Sequence, residues 1–253
     1  GLAFAQPVES EQFGARRIDF PMGDAKGFVI LPTAPAADGS KPWLWYAPTF
    51  IGRHPDDSHT WMAEPILAAG IAICGVEVGE SYGSPAGSAA YSAFYDHVVA
   101  EYGLDPKPVL LGQSRGGLMM INWASENPDK VAAIAGIYPV CNLESYPGLD
   151  KAAGAYEVTA ADLKARLGEF NPIERLAPLA EAKIPLLYIH GDVDAVVPVE
   201  DNSRILVDRY HALGGPAELI VVPGRGHEVC DELFRSERIL SFILNRGKGA
   251  LFR

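Results

Sequence analysis

Ser114 lies in the run Gly112-Gln113-Ser114-Arg115-Gly116-Gly117, between the apolar stretch "PVLL" and the helix-like stretch "LMMINWASEN". Small residues around a serine where a strand gives way to a helix meet a steric demand. They let the backbone turn sharply and let the helix approach the strand while the hydroxyl is held outward. A helix that starts just after the serine adds backbone N–H groups and a dipole that favours negative charge. The N–H of Arg115 is therefore a candidate donor to a developing oxyanion. The plain alternative for the same residues is a tight turn with no chemistry.

A serine hydroxyl becomes an effective nucleophile when a neighbouring base takes its proton and a third group orients that base. Two later segments supply such groups. "YIHGDVDAVVP" places Asp192 and Asp194 just after an apolar strand, and "VVPGRGHEVCDE" places His227 between the last strand and a closing helix. Serine, acid and histidine in that chain order, each beyond the carboxyl end of a strand, is the arrangement that accompanies a serine elbow. Ligands of open α/β sheets bind at that end of the strands.

The elements that position these residues alternate along the chain. From Trp43 onward, "KPWLWYAPTF", "IAICGVEV", "KPVLLGQ", "KVAAIAGIYPV", "IPLLYIHG" and "AELIVVP" read as strands. "SHTWMAEPILAAG", "SAAYSAFYDHVVAEYG", "RGGLMMINWASEN", "EDNSRILVDRYHALGG" and "CDELFRSERILSFILNRG" read as helices. Asp57 or Ser58 is expected to cap the first of these helices, Ser88 to cap the second and Gly103 to end it. Such alternation predicts a mostly parallel sheet with helices on both faces, and near-continuous apolar strands fit burial on both sides. Upstream, "RRIDFPMGDAKGFVILP" reads as two strands joined by a turn, an antiparallel addition at the N-terminal edge. Residues 141–183 carry no strand signal, and a segment that long is expected to form a structured, lid-like insertion within a single domain spanning 1–253.

The pieces "GQSRGG", "NPIERLAPLAEAKIPLLYIHGDVDAVVP" and "GRGHEV" resemble the α/β-hydrolase superfamily, in the style of the dienelactone hydrolase and prolyl-oligopeptidase-like groups. The resemblance covers roughly residues 43–245. It implies the α/β-hydrolase fold and a serine hydrolase with Ser114, Asp194 and His227 as its triad. In those families the segment reads His-Gly-x-x-Asp-x-x-Val-Pro, which puts the acid on Asp194 and leaves Asp192 to bond its own turn. Many members carry His-Gly after the early strand, followed by a second oxyanion donor. Here the strand leads into "APTFIGRHP", so that role is expected at the N–H of Phe50, or of Ile51 if the register slips. The chemistry requires no metal and no organic cofactor.

The 253 residues carry a net charge of −11, and no basic stripe for a nucleic acid is visible. No apolar run reaches the ~20 residues that span a bilayer. Cys74, Cys141 and Cys230 are odd in number and show no zinc-ligand spacing. Ala3-Phe4-Ala5 before Gln6 has the small-x-small form of a signal-peptidase site. It reads either as the tail of an export signal, which implies a secreted or periplasmic protein, or as a mildly apolar N-terminus of a cytoplasmic one.

His54, Asp56, Asp57 and His59 lie close together in "GRHPDDSHT"; they read as a polar loop that caps a helix rather than a metal site. His97 and His211 read as partly exposed helix residues, and His190 as a bonded structural histidine. Ile51, Glu80, Tyr82 and Tyr138 are candidate substrate contacts, with Trp61 and Tyr146 as further candidate pocket walls; Glu80 and Tyr82 read equally as a solvated loop, and Trp61, Tyr82, Tyr138 and Tyr146 equally as core. The Arg115 side chain is expected to pair with an acid of the insertion, with an anionic substrate group as its alternative. The expected substrate is a small-molecule carboxylic ester, with acyl esters of carbohydrates as the preferred class. A peptidase or lactone hydrolase with the same triad, and a non-catalytic binding protein on the same fold, are the alternatives. Oligomeric state is not legible in the sequence.

Overall fold

The computed structural model describes residues 6–248; the Ala3–Ala5 motif lies outside them. Nine strands form one sheet: β1 (Val8–Gln12), β2 (Ala15–Met22), β3 (Ala25–Ile30), β4 (Trp43–Ala47), β5 (Ala72–Glu77), β6 (Val109–Gln113), β7 (Ala133–Ile137), β8 (Leu186–Gly191) and β9 (Ala217–Val222). Their order is β1-β2-β3-β5-β4-β6-β7-β8-β9. The first three strands pair antiparallel and β3 joins β5 antiparallel, while β4 through β9 run parallel. This is the expected α/β-hydrolase architecture with its antiparallel N-terminal edge.

Along the central strands alternate side chains enter opposite layers, as the two-residue period of a pleated strand requires. Trp43, Trp45, Leu110, Ile134, Leu186 and Tyr188 face one core. Leu44, Tyr46, Val109, Leu111, Ala135, Leu187 and Ile189 face the other. The helices α1 (Thr60–Ala68), α2 (Pro85–Tyr102) and α3 (Gly116–Glu126) follow β4, β5 and β6 in turn. Because β5 and β6 pair on opposite sides of β4, the strand order reverses beside β4 and opens a crevice at the carboxyl ends of β4 and β6.

Three local expectations are corrected. The turn before α1 is capped by Asp56, whose side chain accepts the Ser58 N–H while His59 Nδ1 accepts the Asp56 N–H. α2 is capped by Ser84, four residues before Ser88, because Pro85 at its first position fixes the start. Gly103 ends it with φ of +62°, as expected. The closing helix is split into α9 (Asp231–Phe234) and α10 (Glu237–Leu244), with Ser236 capping the second.

Residues 141–183 form short helices α4 (Leu149–Ala152), α5 (Ala160–Ala165), α6 (Leu167–Phe170) and α7 (Ala177–Glu181). They are not one unit. Leu143, Ala152, Ala153, Tyr156 and Leu163 build a small core of their own with Tyr82, Leu118, Val140 and Val197. Ile173, Leu176, Leu179 and Ala180 instead belong to the main core. The separately cored part thus ends near Phe170, and Asn122 ties it down by donating to the carbonyls of Gly83 and Phe170. The last helix in the α/β alternation, α8 (Ile205–Ala212), follows a π-helical turn at Glu200–Arg204. Among the described residues no helix is long and apolar enough to cross a membrane.

Candidate active site

β6 ends at Gln113, and Ser114 follows with φ of +50°, a left-handed conformation that is unfavourable for a residue with a Cβ. The turn is held by its backbone. The Ser114 N–H donates to Ile137 O at 3.1 Å, and Ser114 O accepts the amides of Gly117 at 3.0 Å and Val140 at 2.8 Å. The flanking glycines make this turn possible. A Cβ on Gly116 would lie 2.0 Å from Ala47 O, and one on Gly117 would lie 2.4 Å from Val140 O. No side chain fits at those distances, so β4, the elbow and α3 meet backbone to backbone.

The structure brings together the residues the sequence singled out. Ser114 Oγ lies 2.9 Å from His227 Nε2, and His227 Nδ1 lies 2.7 Å from Asp194 Oδ2. The second carboxylate oxygen, Oδ1, accepts the amides of Val196 at 3.0 Å and Val197 at 2.8 Å. Burial opposes the charge of Asp194, but the side chains of His190 and His227 and the Val197 N–H outweigh it, holding the carboxyl well below the usual carboxylate range. An ionised Asp194 accepts from Nδ1–H, which leaves the lone pair of Nε2 facing the serine. Asp192 lies outside the triad, but it does not bond its own turn as expected: its Oδ1 accepts the Gly224 N–H at 2.6 Å, in the loop after β9. A Cβ on Gly191 would lie 2.0 Å from Arg225 O, so the acid-bearing and histidine-bearing loops also meet through their backbones.

Of the two readings of Tyr138, substrate contact or core, the structure has the second: it is buried, with its ring 4.2 Å from that of His227. It supports the imidazole from below. Its hydroxyl lies 3.5 Å from Gln113 Nε2, and Gln113 Oε1 in turn receives His59 Nε2 at 2.7 Å and the Tyr46 hydroxyl at 3.1 Å. Tyr82 is likewise buried, in the small core under the insertion, where its carbonyl accepts the Tyr156 hydroxyl. Glu80 is exposed at the mouth, where Arg115 Nε lies 3.2 Å from its Oε1 without the alignment of a hydrogen bond. The partner of Arg115 is therefore an acid of the β5–α2 connection and not of the insertion. The Arg115 guanidinium also sits 4.9 Å from the centre of the Phe50 ring.

The expected second oxyanion donor is overturned. The Phe50 N–H donates to His54 O at 3.1 Å, and the Ile51 N–H donates to Glu77 Oε2 at 3.1 Å. The first closes the loop on itself and the second ties it to the end of β5. Missing from the sequence reading is the buried Thr49 N–H, which donates to no acceptor among the described residues. The Arg115 and Gly116 amides, at the start of α3, likewise have no acceptor among them. His54, Asp56 and His59 lie together, each histidine Nδ1 3.3 Å from a carboxylate oxygen of Asp56, and His54 Nδ1 makes no hydrogen bond among the described residues. Cys74, Cys141 and Cys230 are free thiols.

Comparison with known proteins agrees with this fold. An acylamino-acid-releasing enzyme of Arabidopsis thaliana is 27% identical over 142 residues, which cover 52% of this chain and 18% of the relative. A puromycin-hydrolyzing peptidase of Mycobacterium tuberculosis superposes with a TM-score of 0.69 at 16% identity, over 99% of this chain and 41% of that one. An S-formylglutathione hydrolase of Agrobacterium tumefaciens gives 0.68 at 14% identity, over 95% and 96% of the two chains. This chain thus spans a minor part of the first two proteins and nearly all of the third. The model of the prolyl oligopeptidase family matches residues 90–246, the stretch that carries Ser114, Asp194 and His227. By that match the chain is a member of the prolyl oligopeptidase family, a serine hydrolase on the α/β-hydrolase fold.

Proposed function

We propose that the protein hydrolyses carboxylic esters through an acyl-enzyme on Ser114. The hydrogen-bonded chain from Ser114 Oγ through His227 to Asp194 carries this reading. His227 Nε2 takes the hydroxyl proton as Oγ bonds to the acyl carbon, and returns that proton to the departing alcohol. A water then attacks the acyl-enzyme with the same base, releasing the acid and restoring Ser114. Asp194 stays ionised throughout, keeping the imidazole in the tautomer with its proton on Nδ1 and stabilising the imidazolium that forms. The oxyanion falls to the Arg115 N–H at the head of α3, with the Thr49 N–H as second donor. Thr49 is supported by its lack of an acceptor and by its place next to Pro48, whose nitrogen packs against Gly116.

The near end-to-end likeness to an S-formylglutathione hydrolase supports an ester-type substrate. The family match and the acylamino-acid-releasing relative favour a second reading, cleavage of an acylated amino-acid amide. The two are separated by turnover of p-nitrophenyl esters, acetate through octanoate, against N-acylaminoacyl p-nitroanilides, by wild type and Ser114→Ala. The ester reading expects ester turnover that falls by about 10³-fold or more in Ser114→Ala, with anilides at background. Faster anilide turnover would establish the peptidase reading. Acyl esters of carbohydrates, and export from the cytoplasm, are extensions of the ester reading; the ester series and a fractionation of the source cells check them.

A further inference from the structure

We propose that His190 is a positioning residue for the Asp194 carboxylate, so that two histidines and not one set the geometry of the acid. The proposal rests on the triad reading above.

His190 and the Asp194 side chain are both 0% exposed, and His190 Nε2 lies 3.3 Å from Asp194 Oδ2, the oxygen that also receives His227 Nδ1. The same Nε2 lies 2.8 Å from the Val197 carbonyl. A carbonyl only accepts, so the ring proton sits on Nε2, directed between Val197 O and Asp194 Oδ2. The opposite nitrogen, Nδ1, lies 2.7 Å from Ser203 Oγ and accepts its hydroxyl proton. The ring is therefore fixed at both ends in one tautomer.

The chain path explains how this is built. β8 ends on His190 and Gly191, and the following turn brings Asp194 and Val197 back over the imidazole. The π-helical turn Glu200–Arg204 is wider than an α-turn and directs two consecutive residues inward. Asn202 accepts the amides of Cys141 and Asn142 and donates to Pro198 O, while Ser203 reaches His190. A histidine present only to staple the loop would need Val197 O and no more. The imidazole also places its Nε2 edge 3.3 Å from Oδ2, against a carboxylate that accepts two amides and His227. The buried ring fills the space beside Oδ2 and adds a favourable N–H dipole there, so the carboxylate is held from rotating away from His227.

Kinetics of His190→Leu, His190→Gln and Asp194→Asn, with His190→Leu also made in the Asp194→Asn background, test this; thermal unfolding of each is recorded in parallel. His190→Leu is expected to lower kcat by about tenfold with KM within about twofold. His190→Gln, whose amide can place an N–H near the Nε2 position, recovers most of the loss. In the Asp194→Asn background the leucine changes kcat by less than about twofold, because its effect runs through the missing carboxylate. An equal fold-loss in both backgrounds, or a lower Tm with unchanged kcat, would overturn the proposal. Should His190→Leu not fold, Ser203→Ala takes its place, with an expected kcat loss of about threefold that vanishes in the Asp194→Asn background. Wild-type kcat in Asp194→Asn itself would overturn the triad reading, an outcome separate from the failure of His190 alone.

Discussion

The two shoulders of Ser114 are built differently. On the β8–β9 side, the loops carrying Asp194 and His227 are bonded to each other, and the acid accepts two amides and His227 with the buried His190 packed beside it. On the β4 side, the loop from Pro48 to His59 closes partly on itself, with Phe50 bonded to His54 and Asp56 capping its own turn, and is tied outward by Ile51 to Glu77, His59 to Gln113 and Pro55 O to Gln12. The first shoulder positions a proton-transfer chain and tolerates little movement. The second leaves the Thr49 amide, proposed above as an oxyanion donor, without an acceptor among the described residues, while the amides of Phe50 and Ile51 fix the loop around it. Orientation of the base is built from side chains in pairs, and charge stabilisation from backbone left over after the loop is satisfied.

Gly191→Ala should expose the rigid shoulder most sharply. Its Cβ would lie 2.0 Å from Arg225 O, so the His227 loop must move away from the Asp194 loop. We expect a stability loss of about 2 kcal/mol or more and a kcat loss of about 10²-fold from misplacing the imidazole by about an ångström. Gly154→Ala in the insertion, where an added Cβ meets nothing within 4 Å, is the matched control, expected within about 0.5 kcal/mol of wild type. Equal effects of the two would show that the shoulder is not rigid. At the small end, Glu77→Ala frees the Ile51 N–H on the other shoulder. Since that amide serves the loop and not the oxyanion, we expect a stability loss of about 1 kcal/mol and a change in kcat of less than about threefold. A tenfold or greater change would return Ile51 to the oxyanion hole.

The same contrast explains what was legible in the sequence. Strands buried on both faces must be apolar runs, so β4 through β9 were visible, whereas β1, "VESEQ", is an almost fully exposed edge strand with no hydrophobic period to find. Ser114, Asp194 and His227 were visible because their side chains do the chemistry and their chain order is restrictive. The second oxyanion donor was not, because an amide is chosen by which backbone acceptors are near it, and nothing in "APTFIGRHP" records that Phe50 faces His54 O. For Tyr138 the sequence left pocket wall and core equally open, because its packing against His227 depends on the fold of α9 and the Gln113 network. His190 was read as structural from its place at a strand end, and its distance to Asp194 depends on a turn that the sequence does not display.

The most direct test of the account is the attachment site of a fluorophosphonate. Intact-mass and peptide analysis of the folded protein should show one adduct, on Ser114, formed quickly in wild type and at least about 10²-fold more slowly in His227→Ala, where the base is gone. An unlabelled Ser114 in folded protein, or labelling that is indifferent to His227, would contradict a serine activated by the chain from Asp194 through His227.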